Sequence, residues 1–156
     1  MSNTPEQTCC FTGHRSLPMA DLKAIEAQAE RYIRELYSIG VRFFRVGGAM
    51  GFDTMMAQRL FRLRTDMPDM KVVLMYPFDD FTADGWTDAE KALYAELLPK
   101  YDEVHRVAER GGSGAYLERD RALVNGSAYC IAYCRHTKAR SGTAFTVRYP
   151  ATGQPL

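Results

Sequence analysis

The chain has 156 residues, of which 46% are hydrophobic, 12% aromatic and 25% charged, and 20 Lys and Arg against 19 Asp and Glu leave a net charge of +1. That composition belongs to an ordinary globular protein, and so small a net charge argues against the broad basic footprint of a protein that coats nucleic acid. No stretch approaches the roughly 18 uncharged apolar residues of a membrane span, and the polar start has no leader pattern, so the expectation is a single cytosolic domain over residues 1–156 with no membrane partner.

Apolar, β-rich runs alternate with helical stretches along the chain. The runs are Thr8 to Thr12, Val41 to Val46, Lys71 to Tyr76, Glu103 to Val107 and Ala128 to Cys134. Val72, Val73, Leu74 and Met75 are apolar at consecutive positions, as strands buried on both faces require. Between the first two runs, Leu22, Ile25, Ala29, Ile33 and Leu36 recur every three or four residues and predict an amphipathic helix ending near Gly40. A second helix is predicted from Asp53, burying Met56, Leu60 and Leu63. A third follows Thr87 with Glu90 at capping-box spacing, and a fourth runs from about Ala115 to Asn125, stopped by Asn125-Gly126. The pattern is α/β: a Rossmann-like three-layer sandwich with a central, mostly parallel sheet of about five strands. Cys9, Cys10, Cys130 and Cys134 lie in apolar runs without disulfide or zinc spacing and read as small buried thiols that a cytosol keeps reduced.

Ligands of open parallel sheets bind outside the carboxyl ends of the strands, where strand order reverses, here expected between strands one and four. The candidate residues are therefore those that follow each strand. After strand one come Thr12, Gly13, His14 and Arg15, a close-approach glycine followed by a guanidinium suited to phosphate, with Ser16 and Pro18 placed to start a helix. After strand two, Gly47, Gly48, Ala49, Met50 and Gly51 form a strand-to-helix loop able to cradle an anion; it matches neither G-x-G-x-x-G nor a Walker loop. Asp53 is expected as an N-cap more than as a ligand contact.

Beyond strand three, Pro77 leads to Trp86, whose ring could stack on a base but is more often a packing residue. Gly111 to Gly114 is flexible enough for a lid. Arg119 and Arg121 point in different directions on a helix, so one at most faces the site, and Arg121 reads as solvated. After strand five, a basic loop from Arg135 to Arg140 ends in Ser141-Gly142-Thr143, read as a strand-to-helix junction and a second phosphate contact. His14, His105 and His136 lack metal-ligand spacing, His105 reading as structural; no nucleophile elbow or spaced carboxylate pair is visible, so neither a metal nor a catalytic residue is assigned.

The run Thr8-Cys9-Cys10-Phe11-Thr12-Gly13-His14-Arg15, the loop Gly48 to Asp53 and the segment Gly114 to Ser127 resemble the YpsA-like family of the SLOG superfamily, named for Smf/DprA and LOG proteins. The resemblance covers Thr8 to about Tyr149. It implies a Rossmann-like fold that binds a nucleotide or nucleotide-derived ligand, with NAD or ADP-ribose as possible forms and no settled enzymatic activity. Carried over by position, Thr12, Gly13, His14 and Arg15 correspond to the family's first ligand loop, and Gly48, Gly51 and Asp53 to its second. Pro77 and Trp86 flank the third, Arg119 matches the Arg of an Arg-Asn pair, and Gly142-Thr143 the final Gly-Thr. Asp120 stands where that family usually has Asn, Asn125 and Ala128 where it often has Asp, and Arg140-Ser141 where a second glycine is usual. The chain stops at Leu156, near where relatives often add a strand, so a sheet edge is expected to be missing or open.

The leading expectation is a ligand-binding or sensor protein for a small nucleotide-like molecule, with a homodimer possible by analogy with related folds. The alternative is a LOG-like hydrolase that cleaves a base from a ribose 5′-monophosphate, which needs a carboxylate at the sugar. Gly142-Thr143 is followed by Ala144-Phe145-Thr146-Val147, with no acid, although Asp53, Glu118 or Asp120 could substitute. Single-stranded DNA binding, as in the Smf/DprA branch, would need a basic groove lined with aromatics and is the least favoured.

Overall fold

The computed structural model describes residues 4–13, 15–83, 85–134, 144–149 and 154–155. In chain order the elements are β1 (Thr8–Thr12), α1 (Leu22–Ser38), β2 (Phe43–Val46), α2 (Phe52–Leu63), β3 (Lys71–Tyr76), α3 (Asp88–Leu97), β4 (Glu103–Arg106), α4 (Ser113–Asn125), β5 (Tyr129–Cys134), β6 (Ala144–Tyr149) and β7 (Gln154–Pro155). One sheet runs β4-β3-β2-β1-β5-β6-β7. β1 to β5 are mutually parallel, whereas β6 pairs antiparallel with β5 and β7 antiparallel with β6.

One expectation about the sheet is corrected by this order. The reversal lies between β1 and β5, not between strands one and four, because β4 extends the outward walk by pairing with β3 and only the crossover through α4 returns. The sheet also continues past β5. β6, drawn from the segment Ala144-Phe145-Thr146-Val147-Arg148-Tyr149, covers it.

Both faces of the central strands are covered, which explains the consecutive apolar residues of β1 and β3. Cys9 and Phe11 of β1, Phe44 and Val46 of β2 and Val72 and Leu74 of β3 turn toward one face, where α1 and α2 bury Ile25, Ile33, Met56 and Leu60 against them. Each such side chain contributes about 1.5–3 kcal/mol relative to leaving it exposed. On the opposite face, Cys10, Cys130 and Ala132 pack beneath Leu123 of α4. β4 is an edge, and its Val104 is 43% exposed. β2 begins at Phe43 instead of Val41 because the Val41 amide donates to the Leu36 carbonyl, closing α1 beside Gly40 at φ +110°. The capping box before α3 is formed: the Glu90 amide donates to Thr87 Oγ1 at 3.1 Å, and the Thr87 amide to Glu90 Oε1 at 2.8 Å. No helix among the described residues is long and apolar enough to cross a membrane.

Candidate functional site

The loops after β1 and β2 interlock at the carboxyl end of the sheet. Gly13 lies against the Phe52 ring, so a Cβ there would come within 2.6 Å of it. Gly51, at φ +86°, lies against the backbone of Arg15, and a Cβ at Gly51 would collide with the Arg15 carbonyl. Glycine is therefore required at position 51 twice over, by its backbone conformation and by close approach. Gly51 is also the residue that precedes α2, and it supplies no side-chain cap. The chain following Arg15 passes through a short 3-10 turn, Met19–Asp21, before α1 begins, so the helix end beside Arg15 is that of α2.

Arg15 is exposed, with its guanidinium 5.5 Å from the centre of the Trp86 ring. Trp86 is 8% exposed and belongs to an aromatic cluster, meeting Phe81 and Tyr94 edge-on at centroid distances of 5.4 and 5.9 Å. Pro77, buried at the end of β3, accepts a hydrogen bond from the Ala108 amide at 2.8 Å and ties that corner to the segment after β4. Thr12 and Gly13 are exposed at the end of β1.

The loop after β2 is closed from within. Gly47 and Gly48 are buried and Ala49 is half-buried. Asp53, 8% exposed, accepts from the Ala49 amide at 3.4 Å, and Thr54 Oγ1 donates to the Ala49 carbonyl at 2.8 Å. α2 starts at Phe52, one residue before the sequence-based expectation, so Asp53 lies in the first turn and caps the loop, not the helix. Burial pushes its carboxyl up to about 6, against the opposing pull of the Arg119 charge and of the Ala49 and Gly47 amides. Arg119, 7% exposed on α4, donates from Nη1 to the Gly47 carbonyl and from Nε to Asp120 Oδ1 at 2.7 Å. Arg121 is exposed, as its position two residues on requires.

The structure thus brings Thr12, Gly13, Arg15, Gly47, Gly48, Ala49, Gly51, Asp53, Trp86 and Arg119 to one end of the sheet. His14, Gly142 and Thr143 lie outside the described residues. The element after Thr143 is the strand β6, so the expected strand-to-helix junction is absent there. The proposed lid is also corrected: Gly111 packs on the Phe78 ring, Gly112 precedes α4, and Ser113 and Gly114 are already helical. His105 is exposed on the edge strand β4, with Nε2 2.9 Å from Glu103 Oε1. Sequence reading missed Thr54 and Tyr94; the signal for Thr54 was a hydroxyl in a first helical turn. No group of three or more metal-ligating side chains occurs among the described residues.

A family model described as the YspA SLOG family matches residues 9–148. A UPF0398 protein of Bacillus pumilus is 27% identical over 89 residues, covering 57% of this chain and 47% of that protein. One from Latilactobacillus sakei is 26% identical over 111 residues, covering 67% of this chain and 59% of its own length. The chain therefore spans about half the length of the curated relatives it matches. Among solved structures, DNA processing protein A from Helicobacter pylori, described for its single-stranded DNA binding mode, superposes with a TM-score of 0.53 at 19% identity, over 88% of this chain and 58% of that one. That likeness is one of fold.

Proposed function

The chain belongs to the YspA SLOG family, and we propose that it binds a phosphorylated nucleotide or nucleotide derivative, of the NAD or ADP-ribose kind, at the carboxyl ends of β1 and β2. One observation carries this reading. Arg15, seated on Gly51, stands exposed beside the N-terminus of α2, which has no side-chain cap. The first amides of a helix have no acceptor within it, and its positive end favours an anion. A phosphate there would meet the guanidinium fork of Arg15 at the positive end of α2.

Gly47, Gly48 and Ala49 supply the rigid floor, and Asp53 orders it, turned toward the Ala49 amide and balanced by Arg119. We assign the Trp86 ring to the ligand's base, in the place Arg15 covers, and add Thr12, Gly13, His14, Gly142 and Thr143 from the sequence as further contacts. Pro77 holds the corner that carries the aromatic cluster. The reading is of a cytosolic, single-domain binding or sensor protein. The hydrolase alternative would need an acid at the sugar; Asp53 is turned into its loop and Asp120 is engaged by Arg119, which leaves the exposed Glu118 as the acid that reading would have to use.

Calorimetric titration with a nucleoside monophosphate, NAD, ADP-ribose, an unphosphorylated nucleoside and oligothymidylate tests this. A phosphorylated ligand should bind, the bare nucleoside should not, and no free base should be released. Arg15→Ala should weaken binding by about 1.5–3 kcal/mol, about ten- to a hundredfold, since a charge-assisted bidentate contact is lost. Arg15→Lys should recover only part, because an ammonium cannot reproduce the fork. Equal affinity of wild type and Arg15→Ala would sink the assignment. Binding of oligothymidylate alone, with a steep salt dependence, would replace it by the single-stranded DNA reading.

A further inference from the structure

On the face of the sheet beneath α4, Cys10 of β1 and Cys130 of β5 stand directly opposite each other in register. Neighbouring strands lie about 4.8 Å apart, inside the Cα separation that a disulfide spans, and residues paired in register project from the same side of the sheet. The Cys130 thiol and Ser127, which follows α4, lie close enough to Cys10 to act on its thiol. Arg45 of β2, the register partner of Cys10 on its other side, brings its guanidinium near enough for its charge to act on Cys10. Gly126 leaves room for that guanidinium: a Cβ at Gly126 would collide with Arg45 Nη1. Nε of Arg45 is buried without a hydrogen-bond partner. A buried donor left unpaired is costly, and the ligand site uses none of these groups.

We propose that Cys10 and Cys130 form a reversible dithiol-disulfide pair, oxidised by small hydroperoxides, with Arg45 holding Cys10 as the attacking thiolate. The neighbouring Cys130 thiol pulls the Cys10 thiol below its ordinary value despite burial, with Ser127 and the Arg45 charge adding to the effect. Cys9, its neighbour, turns into the main core, where burial pushes its thiol well above the ordinary range. The contrast selects one of two adjacent cysteines. The Cys10 thiolate attacks one oxygen of the peroxide bond; that bond breaks, leaving a Cys10 sulfenic acid and an alkoxide or hydroxide that takes up a proton. The Cys130 sulfur then attacks the sulfenic sulfur and expels hydroxide, which leaves as water with the Cys130 proton. The two thiols lose two electrons and the peroxide gains them. Cys10 and Cys130 are 1% and 6% exposed, so the oxidant enters by local opening of the last turn of α4, which ends at exposed Asn125.

The test is to treat the reduced chain with hydrogen peroxide, alkylate the remaining thiols in denaturant and map tryptic peptides by mass spectrometry. A cross-link should join the peptide ending at Arg15 to the peptide from Ala122 to Arg135, and dithiothreitol should reverse it. Cys9→Ser and Cys134→Ser should keep the cross-link, whereas Cys10→Ser and Cys130→Ser should abolish it. Arg45→Gln should slow its formation, because the Cys10 thiolate loses one nearby positive charge. Full alkylation of peroxide-treated wild type, which needs no variant to fold, would overturn the proposal. A cross-link that survives Cys10→Ser, or one that forms at an unchanged rate in folded Arg45→Gln, would do the same.

Discussion

The two glycine loops at the carboxyl end of the sheet have opposite characters. After β2, Gly47 and Gly48 are buried, and the loop's polar groups are engaged by Asp53, Thr54 and Arg119. After β1, Thr12, Gly13 and Arg15 are exposed, and the contacts that seat the loop are Gly13 on the Phe52 ring and the Arg15 carbonyl on Gly51. The richer glycine sequence thus marks the scaffold and the poorer one presents the free cation. Glycine at a strand end reports close approach of something, and at Gly47, Gly48 and Gly51 that something is the protein itself.

The contrast breaks first at Gly51, where the loops touch. Gly51→Ala forces a side chain into a conformation that only glycine adopts readily and against backbone that cannot move like a side-chain tip. Strain and overpacking together should cost about 3–4 kcal/mol. Urea unfolding would show it as a lower midpoint with the slope unchanged. An unaffected midpoint would mean that the two loops are independent.

Much of this arrangement was legible in the residues. Consecutive apolar residues marked β1 and β3, which are covered on both faces and fall where the runs predict. Strand order was not legible: nothing in the periodicity of Glu103 to Arg106 says that it pairs with β3, and that pairing moves the reversal to β1 and β5. Arg15 and Arg119 were legible by position after a strand and on a helix. The partner of Arg119 was not, since its bond to the Gly47 carbonyl joins residues 72 apart in the chain. The role of Asp53 turned on a single residue, the start of α2 at Phe52.

The interior of the β2 loop is sharpened by Arg119→Ala, which leaves Asp53 buried without its cation. Arg119 acts on Asp53 as a nearby charge, so its loss makes the buried carboxylate costlier to hold ionised, but a carboxyl can escape by taking a proton. In the wild type the Asp53 carboxyl titrates at about 6 when folded, against an ordinary 3.8. The folded chain therefore takes up its proton first as pH falls. The ionised form costs stability above pH 6, by about 2–3 kcal/mol, and that cost is relieved between about pH 6 and 4. Removing Arg119 removes the pull that lowers the titration, so the window moves upward. The destabilisation of Arg119→Ala should then be full near pH 8 and smaller near pH 5. Denaturation at both pH values checks the sign, and adding Asp53→Asn should remove the pH dependence.

The smallest effect is expected at Arg15, and it is the one that separates the exposed loop from the buried one. An exposed guanidinium over an aromatic ring contributes about 0.5–1 kcal/mol, so Arg15→Ala should lower stability by no more than that, whereas Arg119→Ala should cost several times as much. Trp86 is the only tryptophan of the chain, so its emission reports directly on what lies over its ring. Arg15→Ala should change the emission of the folded protein while leaving the unfolded spectrum untouched. A phosphorylated ligand that draws Arg15 away and lays its base on the ring should change emission in the wild type too, saturating with the same midpoint as the calorimetric titration. Phe81 and Tyr94 pack edge-on with the indole, so the ring itself need not move for either change. A large loss of stability in Arg15→Ala, with emission unaltered, would place Arg15 in the scaffold with Arg119 and erase the distinction between the two loops.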